Sequence, residues 1–305
     1  MAEFSIIDQY FKRASKSDVS LGIGDDSAIV TPAPSQQLVI CTDTLVAGRH
    51  FPTDTSAHAI GWKSVAVNLS DLAAMGAKPH SILLALSLPT VDHGWLAGFS
   101  QGLFDCCDQF GVSLIGGDTT QSSQLTITVT ALGWIEHGQA ITRSGAQVGD
   151  YICVSGQVGD AAFGLKHLGH ALQQRLDYPT PRCVLGQQLK GLASSMIDVS
   201  DGLAQDLGHI LKASNVGAKL QLDQLPIDES LKKLEKQQAW HYALAGGDDY
   251  ELCFTISPQN FEKLLRQQLD VPLTIIGKIT QQTGLSFVYM GENHPLAVQG
   301  YQHFA

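Results

Sequence analysis

Hydrophobic residues recur along the chain at the two spacings that distinguish helices from strands. Over residues 58–76 and 94–110 they fall three or four positions apart, which predicts two helices. Over residues 125–131 they alternate with threonines, which is typical of a half-buried antiparallel strand. Continuous apolar runs at 38–43 and 81–88 predict buried strands, and the first run ends on a carboxylate. Shorter predicted elements are an amphipathic helix over residues 4–14 and a strand over 112–115.

The second half of the chain repeats this mixture after a turn-rich stretch at residues 142–149, where we place a domain boundary. Its predicted strands cover 151–154, 196–199, 220–222, 250–256, 273–276 and 285–289. Its predicted helices cover 160–168, 228–238, 259–268 and a stretch that starts at residue 201. Each half is therefore expected to be a mixed α/β or α+β unit, with domains over 1–145 and 146–305.

Composition narrows the class of protein. A length of 305 residues agrees with two domains, since a domain usually has roughly 100–200 residues. Hydrophobic residues make up 44% of the chain, which is enough to fill two cores. The net charge of −10 argues against nucleic acid as the main partner, because nucleic-acid-binding proteins usually present a basic face.

The cysteines and apolar runs indicate a cytoplasmic protein that is not inserted in a membrane. The six cysteines form no C-x-x-C pair and lie mostly in apolar runs, so we expect buried, reduced thiols. Residues 1–15 lack the basic and apolar segments of a signal peptide. The longest strongly apolar run, 82–88, is far shorter than the ~20 residues that a membrane helix needs.

Aspartates gather at the ends of predicted elements, beside glycine, serine or threonine. Taken singly, each has a structural explanation: Asp71 as a cap for another element, Asp201 as a helix cap, Asp43 as a turn residue. Together they indicate a shared divalent-cation site, because Mg²⁺ prefers oxygen ligands and often bridges carboxylates to phosphates. The sequence therefore predicts metal-dependent phosphate chemistry. The residues concerned are Asp25, Asp26, Asp43, Asp71, Asp118, Asp198, Asp201, Asp248 and Asp249.

The common nucleotide-binding fingerprints are absent from the sequence. The nearest approach to a P-loop begins at Gly159 and places Leu165 where the lysine is required. Gly22 and Gly24 begin a G-x-G pattern that aspartates interrupt, and no zinc-site spacing occurs.

Groups that can bind phosphate are few. Arg143 lies in a predicted loop, where its guanidinium can reach phosphate or remain solvated. Ser200 precedes a predicted helix and suits either an anion contact or a helix cap. Residues 156–159 open another helix and are candidates for a backbone nest.

Taken in order, these motifs resemble those of the thiamine-monophosphate kinases, and they span nearly the whole chain. Shorter matches lie at residues 3–5, 300–301 and 303–304. The main matches are Gly22-Ile23-Gly24-Asp25-Asp26, Thr42-Asp43-Thr44, Asn68-Leu69-Ser70-Asp71, Gly116-Gly117-Asp118-Thr119, Thr142-Arg143-Ser144-Gly145, Asp198-Val199-Ser200-Asp201-Gly202 and Gly246-Gly247-Asp248-Asp249-Tyr250-Glu251.

The resemblance implies a fold, a reaction and a set of site residues. The fold is that of aminoimidazole ribonucleotide synthetase, with an N-terminal domain that binds ATP and metal and pairs into a homodimer. The reaction is direct in-line phosphorylation of thiamine monophosphate by ATP. The implied Mg²⁺ ligands are Asp26, Thr42, Asp43, Asp71, Asp118, Asp198 and Asp201. The implied ATP contacts are Gly117, Asp118, Arg143 and Ser200, and the implied substrate contacts are His50, Asp248 and Tyr301. The implied catalytic residues are Asp118, Asp201 and Arg143.

Two positions depart from the family pattern. Cys41 stands where the family often has serine, and a neutral thiol is a poor Mg²⁺ ligand. Asp248 stands where glutamate is common, so its side chain is one methylene shorter. Two alternatives remain open: a related ATP-dependent synthetase with another acceptor, and a non-catalytic nucleotide-binding protein on the same fold. Residues 1–21 contain no cysteine, which argues against a selenophosphate synthetase.

Overall fold

The computed structural model describes residues 3–13, 19–24, 27–298 and 300–301, with the backbone alone at residues 3 and 4. Among these residues the chain forms two compact units, each containing helices and a sheet, as the predicted mixed α/β class requires. Unit 1 comprises residues 1–72 and 77–138, and unit 2 comprises residues 73–76 and 139–305. Within the described ranges, no helix has the length and apolar character needed to cross a membrane.

Unit 1 is built on an antiparallel sheet with one parallel pair at its edge. Its described strands run in the order β3-β6-β4-β5, and β4 and β5 form the parallel pair. A separate pair of short strands, β1 and β2, precedes this sheet. The strands are β1 (Val19–Leu21), β2 (Ile29–Val30), β3 (Gln36–Val46), β4 (Lys78–Leu88), β5 (Ser113–Gln121) and β6 (Thr126–Glu136). The helices are α1 (Glu3–Ile6), which continues as a π-helical turn over Ile7–Phe11, α2 (Ala57–Ala74) and α3 (His93–Phe110).

Two long helices of unit 1 lie unusually close to one another. A Cβ atom on Gly102 of α3 would lie 1.9 Å from the carbonyl oxygen of His58 in α2. Glycine is therefore required at this crossing, because any side chain would force the helices apart. Asp92 caps the start of α3 by accepting a hydrogen bond from the N–H of Trp95, and Gly111, with φ of 68°, follows the end of the helix, in agreement with the helix end predicted at residue 110.

The predicted buried strand at 38–43 exists, but the prediction of its burial was wrong. This segment belongs to β3, an edge strand of the sheet. Leu38 and Ile40 remain 43% and 58% exposed. Apolar content alone cannot distinguish a central strand from an edge strand with an open face, which explains the error.

Unit 2 contains a longer mixed sheet with helices packed on it. The order of its described strands is β13-β12-β9-β11-β7-β10-β8, and the β9–β12 pair is parallel. The strands are β7 (Tyr151–Ser155), β8 (Ala193–Asp198), β9 (Gly217–Gln221), β10 (Leu252–Ile256), β11 (Leu273–Thr280), β12 (Gly284–Tyr289) and β13 (Glu292–Asn293). The helices are α4 (Asp160–Lys166), α5 (Gln173–Asp177), α6 (Cys183–Gln188), α7 (Leu203–Ser214), α8 (Glu229–Lys232), α9 (Lys236–Ala245) and α10 (Pro258–Leu264).

Helix α7 anchors the core of unit 2 beside the strand that carries Asp198. Its buried side chains Leu203, Leu207 and Ile210 join the central strands in one hydrophobic cluster. This is the apolar face that the sequence predicts for the helix after residue 201. The single helix predicted at 228–238 is instead two helices, α8 and α9, and the short helices α5 and α6 escaped prediction because each has only one or two turns.

Candidate active site

The predicted metal ligands of unit 1 lie on two different faces of its sheet. Asp118 in β5 is in register with Ala85, Thr128 and Thr44 across the sheet, and this row is largely exposed. Thr42 lies in the next row of the same face, where its Oγ1 atom is 3.0 Å from Thr130 Oγ1. Directly paired residues of neighbouring strands point to the same side. Asp118 and Thr42 therefore share the open face.

Asp43 lies on the opposite, helix-covered face and belongs with Asp71. Its cross-strand partner Val129 is buried, and the charges of Asp43 and Asp71 both act on the thiol of Cys41. Burial first, and these two carboxylates next, raise the pKa of Cys41, so its thiol stays protonated. The Cys41 Sγ atom donates to the carbonyl oxygen of Asn68 at 3.3 Å. Cys41 therefore contributes a neutral thiol beside the carboxylates of Asp43 and Asp71, where β3 meets α2.

A cavity of about 950 Å³ opens beside Asp118 within unit 1. Gly116, Gly117 and Asp118 form one wall, and residues 7–12 and 22–24 contribute others. Gly117 has φ of 149°, and a Cβ atom there would lie 1.9 Å from the carbonyl oxygen of Leu84. Only glycine fits at this point, where the backbone runs against β4 along the cavity wall. The volume lies within the range typical of small-molecule sites.

His50 follows β3, and its orientation is fixed by backbone contacts. The Nδ1 atom accepts a hydrogen bond from the N–H of Val46 at 3.0 Å. Since Nδ1 is an acceptor, the neutral ring carries its proton on Nε2. The carbonyl oxygen of the same residue accepts from Lys63 Nζ at 3.3 Å. His50 therefore has an N–H donor at Nε2.

Residues 200–202 of unit 2 form a loop that is hydrogen-bonded on both of its sides. The N–H groups of Ser200, Asp201 and Gly202 all donate to Oδ2 of Asp206, at 3.0, 3.1 and 3.1 Å. Asp206 lies in the first turn of α7 and is only 3% exposed. Burial raises the pKa of Asp206 to about 7, and the charges of Asp198 and Asp201 act in the same direction.

The carbonyl groups of the same loop accept hydrogen bonds from two other predicted site residues. Asp248 donates its N–H to the carbonyl oxygen of Ser200 at 2.9 Å. Tyr301 donates its N–H to the carbonyl oxygen of Asp201 at 3.0 Å, and its own carbonyl accepts from Gln205. The structure therefore brings Ser200, Asp201, Asp248 and Tyr301 together around one loop.

Near Asp248 the backbone adopts left-handed conformations that residues other than glycine rarely adopt. Asp248 and Tyr250 have φ of 66° and 51°. Strain of this kind costs about 1–3 kcal/mol per residue and persists only where the surroundings enforce it. Here the N–H of Tyr250 donates to the carbonyl of Val199, and the Tyr250 hydroxyl donates to Asp248 Oδ1 at 2.9 Å.

The remaining predicted residues of unit 2 lie at more varied positions. Asp198 ends β8 beside the loop and is 4% exposed. Arg143 has an exposed side chain, and its carbonyl oxygen accepts a hydrogen bond from Ser214 Oγ at 3.4 Å. Among the predictions for the rest of the chain, Asp25, Asp26 and the match at 303–304 lie outside the described residues.

The predicted backbone nest at residues 156–159 already has hydrogen-bond acceptors within the protein. The N–H groups of Gly156 and Val158 donate to backbone carbonyl oxygens. The N–H of Gly159 donates to Oδ2 of Asp249 at 2.7 Å, and the N–H of Ala161 donates to Oδ1 at 3.3 Å. Burial raises the pKa of Asp249 well above its usual range. The nest prediction is therefore wrong for an external phosphate, since these N–H groups already donate within the protein.

A buried ion cluster underlies this region. Glu251 is completely buried and accepts from Ser155 Oγ (2.6 Å), Arg175 (2.6 Å) and Arg182 Nε (2.7 Å). Asp160 lies 3.9 Å from Arg175, and its Oδ1 atom makes no hydrogen bond within the described structure. The cluster ties β10 to β7, α5 and α6.

No closed metal site exists among the residues that the structure describes. Within them, no group of three or more His, Cys, Asp or Glu side chains converges closely enough to hold a metal ion. The donors themselves suit Mg²⁺, because carboxylate and hydroxyl oxygens are hard ligands. The residues present therefore fit Mg²⁺ by the chemistry of their oxygen donors, at Asp43 and Asp71 in unit 1 and at Asp198 and Asp201 in unit 2.

Sequence reasoning missed two buried acids that shape the site, Asp206 and Glu251, and it gave Asp249 a place in the cation site, whereas its carboxylate accepts backbone N–H groups. Glu251 lay within a recognised motif, but Asp248 of that motif received the functional role. Asp206 resembled any acidic residue in the first turn of a helix. Its only signal was its place, four residues after Gly202, from which a first-turn side chain can reach back to the preceding loop.

Comparison with known proteins places both units in one class. Residues 24–135 match the family model of the AIR synthase related protein, N-terminal domain, and residues 148–290 match that of the corresponding C-terminal domain. Together these matches cover most of the chain. The fold is therefore that of the AIR synthase related proteins.

Individual relatives narrow the class further. Thiamine-monophosphate kinase of Escherichia coli (strain K12) is 48% identical over 320 residues, covering 99% of this chain and 98% of the relative. The crystal structure of thiamine-monophosphate kinase from Stenotrophomonas maltophilia K279a has a TM-score of 0.85 at 46% identity, covering 92% of this chain and 93% of that one. The structure of AaThiL complexed with AMPPCP and TMP has a TM-score of 0.80 at 31% identity, covering 90% and 89%. The chain belongs to the thiamine-monophosphate kinase family, which confirms the resemblance drawn from its motifs.

Proposed function

We propose that this kinase transfers a phosphoryl group from ATP to thiamine monophosphate, giving thiamine diphosphate, in a direct in-line reaction that depends on Mg²⁺. The proposal rests chiefly on the doubly hydrogen-bonded loop of unit 2. There the predicted ATP contact Ser200 and metal ligand Asp201 are joined through their backbone to the predicted acceptor contacts Asp248 and Tyr301. A relative with AMPPCP and TMP bound supports the choice of co-substrate and acceptor.

We assign the nucleotide to Gly117, Asp118, Arg143 and Ser200. The cavity of about 950 Å³ beside Gly117 and Asp118 supports the first two assignments. The exposed guanidinium of Arg143 can donate two parallel hydrogen bonds to phosphate oxygens. With Asp118 and Asp201, Arg143 makes up the proposed catalytic set, in which positioning and charge stabilisation replace a strong base.

The acceptor is assigned to His50, Asp248 and Tyr301. The Nε2–H group of His50 is a donor suited to a phosphate oxygen. Tyr301 is 39% exposed, and its aromatic ring is of a kind that stacks on a heteroaromatic ring such as those of the substrate.

Mg²⁺ would be held by Asp26, Thr42, Asp43, Asp71, Asp118, Asp198 and Asp201. When bound, it neutralises phosphate charge that these carboxylates would otherwise repel. The protein's own part is to hold these acids on the strands, helix and loop described above, with Cys41 kept neutral beside Asp43 and Asp71 so that it adds no further negative charge.

Two further properties belong to the same proposal. The open sheet face of unit 1 carries the exposed Leu38 and Ile40, which supports a homodimer formed through the N-terminal unit. Light scattering of the protein and of an Ile40→Glu variant would test this, with a monomeric variant expected. The free cysteines, five of them buried, are in keeping with a cytoplasmic location.

Chromatographic product analysis tests the function directly. The purified protein is mixed with ATP and Mg²⁺ and with either thiamine monophosphate or free thiamine. We expect thiamine diphosphate only from the monophosphate, and none when EDTA removes the metal. Folded protein that binds ATP but forms no product would refute the acceptor assignment and favour a related synthetase or a non-catalytic nucleotide-binding protein.

A further inference from the structure

The carboxylate of Asp206 lies beneath the loop that carries several proposed site residues. One oxygen, Oδ2, receives the N–H groups of Ser200, Asp201 and Gly202 at 3.0–3.1 Å. The residue is 3% exposed, so water cannot readily replace it as the acceptor. The three N–H groups precede helix α7 and have no carbonyl partner inside that helix. A single atom, Oδ2 of Asp206, therefore fixes the conformation of the loop.

The other side of the loop is hydrogen-bonded to the residues that we propose contact thiamine monophosphate. The carbonyl oxygens of Ser200 and Asp201 receive the N–H groups of Asp248 and Tyr301. Each peptide plane is rigid, so fixing its N–H also fixes the direction of the carbonyl on the same plane. Asp248 and Tyr301 are thus held by the carbonyl groups of two peptide planes, and the N–H groups of the same planes donate to Asp206.

Gly202 makes this arrangement sterically possible. Its φ of 117° lies in the region that favours glycine, and a Cβ atom there would lie 2.9–3.0 Å from the backbone of Leu244 and Ala245. The chain turns sharply at this residue and brings the N–H groups of residues 200–202 onto one point. A loop so constrained has few other conformations while the carboxylate is present.

We propose that Asp206 is a positioning residue for phosphoryl transfer, which holds Ser200 and Asp201 in their working geometry and aligns Asp248 and Tyr301 through the same peptide planes. The inference rests on the proposed function and adds to it a residue that touches neither substrate. The feature that matters is an oxygen that accepts hydrogen bonds and is held at the distance that an aspartate side chain sets.

Three substitutions separate geometry from charge. Asp206→Ala removes the acceptor, and we expect kcat/KM to fall roughly 100-fold, the loss typical of a misplacement near 1 Å. Asp206→Asn keeps an acceptor oxygen at the same distance, and we expect activity within about fivefold of wild type. Asp206→Glu keeps the charge but moves the oxygen by one methylene, and we expect at least a roughly tenfold loss, comparable with other small displacements.

Asp150→Ala is a matched control for the loss of a buried carboxylate. Asp150 is 4% exposed and accepts hydrogen bonds from Gln147 N–H and Ser194 Oγ, at 2.9 and 2.6 Å. It belongs to unit 2 but not to the loop. We expect Asp150→Ala to lower the unfolding midpoint at least as much as Asp206→Ala does, while leaving the KM for ATP and for thiamine monophosphate unchanged.

Hydrogen exchange of the amides of residues 200–202 gives a readout that needs no turnover. We expect exchange there to accelerate at least tenfold in Asp206→Ala and Asp206→Glu, and to remain near wild type in Asp206→Asn and Asp150→Ala. Activity and exchange that are unaltered in both the Ala and Glu variants would overturn the role of Asp206. Failure of the Asn variant to outperform the Glu variant would also overturn it, because charge and not geometry would then be decisive.

The two proposals fail separately. Wild-type protein that forms no thiamine diphosphate would overturn the proposed function, whatever the exchange rates of the loop. Active wild-type protein with an equally active Asp206→Glu variant would overturn the positioning role alone. If Asp206→Ala does not fold, the comparison of the Asn and Glu variants still decides the question.

Discussion

Replacing Glu251 by alanine tests whether the buried ion cluster stabilises unit 2. Glu251 has no exposed surface and accepts hydrogen bonds from Arg175, Arg182 and Ser155. Removing it leaves two guanidinium groups without their shared counter-charge. Loss of one partner from a buried ion pair typically costs about 3–5 kcal/mol in unfolding free energy. The arginine side chains keep 24% and 15% exposure, so water compensates in part and we expect about 3 kcal/mol.

Urea unfolding followed by far-UV circular dichroism measures this loss. With an m-value of about 2 kcal/mol per molar urea, the midpoint for unit 2 should fall by about 1.5 M. Glu251→Gln, which keeps the shape of the side chain, should lose a large part of the same free energy, since it too leaves the arginines without a negative charge.

Glu229→Ala is the matched control. Glu229 lies 2.7 Å from Lys232, a separation like those in the cluster, but the two side chains are 77% and 53% exposed. An exposed pair of this kind contributes only about 0.3–0.5 kcal/mol. A Glu251→Ala shift as small as that of Glu229→Ala would refute the reasoning, because burial would then make no difference to the ion pair.

The remaining predictions concern helix packing, pH and the site. Gly102→Ala should lower the unfolding free energy by about 1–3 kcal/mol, because the methyl group meets the facing helix. Gly208→Ala is the control: it has open space around it and should raise the unfolding free energy by about 0.5–1 kcal/mol. In paired urea titrations, a change of the same sign in both variants would show that the close approach at Gly102 does not exist. Burial raises the pKa of Asp160 to about 6, above ~3.9 in an unfolded chain, so the folded state holds this proton more tightly. The contribution of Asp160 to the unfolding free energy is thus complete below about pH 4 and is lost as the pH rises towards 6. In Asp160→Asn, the unfolding midpoint should depend less on pH over that interval. An unchanged slope would contradict the raised pKa of Asp160. Asp118→Asn should abolish turnover without moving the unfolding midpoint, because the residue is exposed; near-normal activity would rule out its metal role. His50→Ala should raise the KM for thiamine monophosphate far more than that for ATP, and equal changes would indicate a structural histidine.

The sequence predicted well those features that depend on local chemistry. Helix α3 ends at Gly111 because glycine accepts the left-handed conformation at that point, and this can be read from the sequence. The acidic motifs were also visible in the sequence, but the expectation that they mark the ends of elements was wrong for Asp43, Asp71 and Asp118, which lie inside β3, α2 and β5.

Features that depend on which other part of the chain packs against a segment could not be predicted from the sequence. The apolar run at 38–43 lies at a sheet edge, and edge position is a property of topology. The glycines at 156–159 resembled a phosphate nest, but the N–H of Gly159 donates to Asp249, about ninety residues away in the chain. The role of Asp206 was hidden for a different reason: the residue is near the loop in sequence, but three N–H groups converge on it only because of the turn at Gly202.

The loop at residues 200–202 also has a thermodynamic consequence. Proposed contacts for the nucleotide and for the acceptor are attached to the same two peptide planes, so a shift imposed by one ligand changes the site offered to the other. We therefore expect the two substrates to bind cooperatively. Linkage requires the effect to be reciprocal: the factor by which the nucleotide changes affinity for the acceptor equals the factor by which the acceptor changes affinity for the nucleotide.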